Sequence, residues 1–71
     1  MTPVLRWTVA DEGFWVAEAE GSYAGTVDRQ GKHHYVRNGY GEYIGDYATL
    51  PAAQVALAAR STDRRTRWLH R

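Results

Sequence analysis

The run from Gly41 to Leu57, GEYIGDYATLPAAQVAL, constrains the fold of this chain more than any other segment. Tyr43, Gly45 and Tyr47 alternate with Ile44 and Asp46 at the two-residue period of a strand. Thr49 then offers a side-chain oxygen to cap a helix, and Leu50 and Pro51 fall in the first turn, where proline's missing N–H costs little. Alanines at 52, 53, 56, 58 and 59 carry that helix to about Arg60, with Leu50, Ala53 and Leu57 as its stripe against a sheet. Small residues on that stripe allow helix and sheet to approach closely.

The preceding residues read as more of the same sheet. Val4 to Val9 alternates around Leu5, Trp7 and Val9, and Asp11-Glu12-Gly13 follows as a turn. Phe14 to Glu20 places Trp15, Ala17 and Ala19 on one face, with Phe14, Val16 and the acidic pair Glu18 and Glu20 on the other. After a turn at Gly21-Ser22, Tyr23, Gly25 and Val27 share a face; Gln30-Gly31-Lys32 turns the chain into His33 to Asn38. Asn38-Gly39 reads as a tight primed turn, because both residues accept positive φ. The expected fold is α+β: a small antiparallel sheet of four to five strands followed by one packed C-terminal helix. Residues 1–63 form its single domain, and Ser61-Thr62-Asp63 either ends the helix or caps a short second one, so that 64–71 is a basic tail or short helix carrying Trp68. Trp7, Trp15, Tyr23, Val27, Tyr43, Tyr47, Ala53 and Leu57 are the expected core.

At 71 residues, chain entropy nearly cancels what one core can contribute, and with no cysteine neither a disulfide nor a thiolate metal site adds to it. The three tryptophans and five tyrosines are therefore the staples, each ring burying on the order of 150 to 250 Å². No apolar run approaches the roughly 20 residues of a membrane span, and the first residues lack the pattern of a secretory leader. Those features, with no cysteine, point to a cytoplasmic protein without a membrane partner.

The net charge of +1 conceals alternating blocks: residues 1–28 carry about −4, 29–38 about +3, 39–48 about −2 and 49–71 about +4. So mild a total argues against a dedicated nucleic-acid coat protein and leaves local basic patches. Arg29, Lys32, His33, Tyr35 and Arg37, with His34, gather around one turn and strand, as a β-ribbon presents side chains to a DNA groove. Arg64, Arg65 and Arg67 beside Trp68 form a second group suited to phosphate contact and base stacking. An exposed hairpin and a solvated helix end account for the same residues without any ligand.

Catalytic chemistry has little foothold. His33 and His34 are adjacent and on a strand point to opposite faces, so no metal site is expected. Glu18 and Glu20, about 7 Å apart by the strand rise, have no sign of a substrate cleft around them. Ser22, Thr49 and Ser61 have no histidine and acid at telling spacing, and the glycines punctuate strands instead of preceding a helix as a phosphate loop. We expect no enzyme, no cofactor and no metal.

Several short strands, then Tyr43-x-Gly45-x-Tyr47-x-Thr49 and a helix bearing Ala52, Ala53 and Ala56, with Trp15-Val16-Ala17-Glu18 upstream, resemble a known DNA-binding domain. This is the three-stranded sheet plus helix of plant ethylene-response factors and of the arm-binding domain of phage-type integrases. The likeness covers about residues 14 to 60 and implies that a sheet face enters the major groove through arginines and tryptophans. Here Glu18 and Glu20 stand where such arginines belong, which leaves Arg29, Lys32, Arg37 and the arginine tail to replace them. The reading is a small non-enzymatic binding module. Ranked first is a DNA-binding or accessory regulatory protein; the alternative is a protein-interaction module, as of a small phage or bacterial protein docking on a larger partner or pairing with itself as a homodimer.

Overall fold

The computed structural model describes the backbone of residues 4–69 and the side chains of residues 4–59. Five strands, β1 (Arg6–Asp11), β2 (Phe14–Ala19), β3 (Ser22–Gln30), β4 (His33–Asn38) and β5 (Tyr43–Tyr47), form one antiparallel sheet in the order β1-β2-β3-β4-β5. The helix α1 (Leu50–Leu69) follows and packs on β3, β4 and β5. Each strand pairs with its neighbour in sequence, so short hairpin turns suffice to build the whole sheet.

The inner face carries two long cross-strand rows, Trp7–Ala17–Gly25–Asn38 and Val9–Trp15–Val27–Val36–Gly45. Ala17, Val27 and Val36 from these rows, with Ala53 and Leu57 from α1, are fully buried. Leu5, Trp7, Trp15, Ala24, Ile44, Tyr47 and Leu50 pack around them. Val27, Val36 and Leu57 each contribute on the order of 1.5 to 3 kcal/mol by leaving water. The alanines contribute proximity: α1 comes close enough that Leu57 rests on Gly25, whose φ of 147 would strain any other residue.

Two tyrosines expected in the core are instead half-exposed on the opposite face, Tyr23 and Tyr43, both 53 % accessible. The cause is a bulge in each strand. Ala17 and Glu18 pair with Gly25 and Tyr23, leaving Ala24 as the extra residue; Val36 and Arg37 pair with Gly45 and Tyr43, leaving Ile44 as the extra residue. An unpaired residue resets the alternation of faces. Ala24 and Ile44 therefore turn toward the core, the glycines Gly25 and Gly45 stay on the inner face, and the preceding tyrosines rotate outward.

The turns and the helix also depart from expectation. Glu20 and Gly21, both at positive φ, close the β2–β3 hairpin between the paired Ala19 and Ser22, so Glu20 belongs to a primed turn and not to the strand face of Glu18. Asn38-Gly39 is not a tight primed turn: neither residue has positive φ, and the β4–β5 loop spans residues 39–42. There the Asn38 carboxamide oxygen accepts N–H bonds from Tyr40 (2.9 Å) and Glu42 (3.0 Å), while its nitrogen donates to Glu42 Oε1 (2.8 Å). Thr49 caps α1 as expected, its Oγ1 accepting from the Ala52 N–H at 3.2 Å. The helix does not end near Arg60. It runs through Ser61-Thr62-Asp63 to Leu69, because those three residues carry only small helix penalties and no glycine or proline interrupts the segment.

Candidate functional site

The face of the sheet turned away from α1 has no covering element among the described residues. Three cross-strand rows make it up: Arg6–Glu18–Tyr23, Thr8–Val16–Thr26–Arg37–Tyr43, and Asp11–Phe14–Asp28–Tyr35–Asp46. Thr26, at its centre, is buried although no layer lies above it, so the side chains around it close over the backbone.

The densest group lies on β4 and β5. Asp46 uses both carboxylate oxygens: Oδ1 accepts the Tyr43 hydroxyl proton at 2.9 Å, and Oδ2 lies 2.9 Å from His33 Nδ1. Tyr35 stands between, with ring centroids 6.3 Å from His33 and 6.4 Å from Tyr43. Donation to the Asp46 carboxylate holds the Tyr43 phenol pKa above its ordinary value, since losing that proton would lose the bond and place two negative charges together. Arg37, opposite Tyr43, donates to the Gly41 carbonyl at 3.2 Å. The result is a fixed aromatic surface with a cation on its border.

The basic cluster expected from sequence is divided by this arrangement. His33, Tyr35 and Arg37 share the open face, as their spacing implies. Arg29 belongs to the inner row Arg29–His34–Tyr47, and its side chain lies beside Gly13 in the β1–β2 turn, where a Cβ on that glycine would meet it at 3.6 Å. Lys32 is exposed in the β3–β4 turn. His34 is turned inward beside Trp15, with Nδ1 3.3 Å from the Tyr47 carbonyl oxygen, so the two histidines do face apart. Among the described residues no three histidine, aspartate or glutamate side chains converge. Arg64, Arg65 and Arg67 have helical backbone, and their side chains, like that of Trp68, lie outside the described residues.

The open face is consequently not basic. Arg6 and Arg37 are set among Glu18, Asp28 and Asp46, and Arg6 directly faces Glu18. What sequence reasoning missed on this face are Tyr23 and Tyr43, and the signal was present twice: Tyr23-Ala24-Gly25 and Tyr43-Ile44-Gly45 each put a glycine inside a strand, the mark of a bulge. Among the described residues no helix is long and apolar enough to cross a membrane. Comparisons with protein families, with characterised proteins and with solved structures find no match to this chain.

Proposed function

We propose that the chain is a non-enzymatic protein-interaction module that binds through the open face of its sheet. One observation carries this reading: Tyr23, Tyr35, Tyr43 and Arg37 share a face that no element covers among the described residues, set among charges of both signs. Tyrosine and arginine are enriched where proteins dock, because a tyrosine offers a large amphipathic surface at small entropic cost. The hydrogen bonds that Asp46 accepts and Arg37 donates hold much of this surface in place before a partner arrives, which lowers the ordering cost of association. A duplex backbone would meet Glu18, Asp28 and Asp46 here, which disfavours the face as a groove reader. Affinity capture from the producing organism with the wild type and with Tyr35→Ser/Arg37→Ala/Tyr43→Ser tests it. A partner retained at about 0.5 M salt by the wild type and lost by the folded triple variant is expected; identical capture by both proteins would sink the idea.

A second reading rests on a different element. Arg60, Arg64 and Arg67 recur at i, i+4 and i+7, and the backbone through all three is one helix with the segment that packs on the sheet. That spacing suits nucleic-acid phosphates. A mobility shift at low salt that disappears when these arginines become glutamine is its expected sign, and no shift at low salt removes it.

A further inference from the structure

We infer that a second copy of this chain pairs with the outer edge of β1, joining two sheets into one of ten strands about a twofold axis at Thr8. The inference stands apart from the proposed function, which concerns the open face and not the edge. Strand β1 pairs with β2 alone, so among the described residues the outward backbone N–H and C=O groups of Arg6–Asp11 have no strand beside them. Such an edge is a template for another strand. The far edge of the sheet is a poorer one, since β5 has five residues, is bulged at Ile44 and leads at once into α1.

Side chains on β1 identify the occupant. The strand carries its own bulge: Val9 pairs with Trp15 and Asp11 with Phe14, leaving Ala10 as the extra residue. Its rungs are therefore Arg6, Thr8 and Asp11 on the open face and Trp7 and Val9 on the inner face. That order is complementary to itself when reversed. With two copies antiparallel about Thr8, Trp7 of each lies opposite Val9 of the other on the inner side, and Arg6 lies opposite Asp11 on the open side. Cation meets anion at both ends, apolar meets apolar between them, and opposed residues keep matching faces. The same register covers Val9, which is 67 % exposed on the inner face, beyond the strands on which α1 packs.

The chain has no cysteine, so a single introduced one reports this geometry. Directly opposed residues in antiparallel strands have Cα atoms about 4.5 to 5.5 Å apart, inside the disulfide range of roughly 4.4 to 6.8 Å. Thr8→Cys, on the axis, is expected to oxidise to a covalent dimer under mild conditions. Val55→Cys, also at an exposed position but on α1, is expected to remain monomeric. In sedimentation equilibrium the wild type is expected to dimerise, and Arg6→Asp or Asp11→Arg to weaken the dimer on the order of tenfold. An equimolar mixture of the two variants should recover it, because each then supplies the charge the other needs. Arg6 also faces Glu18 in its own chain, and Asp11 Oδ1 accepts the Glu12 N–H at 2.8 Å, so circular dichroism checks the fold of both variants and the comparison is made between folded proteins. A wild type that stays monomeric near millimolar concentration, or a dimer that ignores both charge reversals and leaves Thr8→Cys uncross-linked, overturns the inference.

Discussion

Leu57 closes the core by resting both methyl groups on the bare α-carbon of Gly25: a Cβ there would lie 3.0 Å from each of them and would overlap the carbonyl oxygen of Arg37. Gly25→Ala is therefore expected to cost about 3 kcal/mol or more, from crowding together with the positive φ of 147. Urea denaturation followed by tryptophan fluorescence measures this. Shortening Leu57 to alanine in the same chain should give no rescue, since the backbone obstacle at Arg37 remains.

Asn38 organises the β4–β5 loop with one side chain that accepts two N–H bonds and donates one. Asn38→Ala leaves these partners to water or to nothing, at an expected cost of about 1 to 3 kcal/mol. Amide exchange at Tyr40 and Glu42 should accelerate ahead of exchange in the rest of the sheet. Uniform acceleration would instead place the Asn38 contribution in the fold as a whole.

The Tyr43–Asp46 hydrogen bond has a defined pH signature. The folded phenol pKa is raised, so the stabilisation is complete below the ordinary tyrosine value of about 10 and fades as pH climbs through the higher folded value. Ultraviolet titration of the phenolates should show Tyr43 ionising above the ordinary tyrosine value, and Asp46→Asn should lower it toward that value. A late phenolate that survives Asp46→Asn would assign the raised value to another cause.

Thr49 caps α1 through its Oγ1. Thr49→Ala is expected to lower stability by about 1 kcal/mol, whereas Thr49→Asp, which keeps an acceptor and adds a negative charge at the helix N-terminus, should preserve it. Thermal melts by circular dichroism distinguish the two. Equal loss from both substitutions would mean that the hydroxyl contributes something other than the cap.

Much of this fold is legible in the residues. The Thr49 cap, the Leu50, Ala53 and Leu57 stripe, all five strands and the opposed faces of His33 and His34 follow from period and residue type. The faces of Tyr23 and Tyr43 do not, because counting alternation is a running parity, and Ala24 and Ile44 each shift it by one. Arg29 and Arg37 look like neighbours along the chain, yet with a two-residue turn between their strands Arg29 pairs with His34 on the inner face and Arg37 with Thr26 on the outer. The helix end was hidden for another reason: Ser61, Thr62 and Asp63 have side chains suited to caps, but such residues stop a helix only where the backbone also turns.

The paired bulges each add one residue to a strand without adding a rung to the sheet. Deleting Ala24 or Ile44 would bring Tyr23 next to Gly25 or Tyr43 next to Gly45 in plain alternation, leaving the tyrosine outward and the glycine inward and removing only the apolar side chain that the bulge turns toward the core. Descendants of this architecture can therefore lose a single codon at either position and keep the tyrosines they present, a tolerance that strands without a bulge do not have.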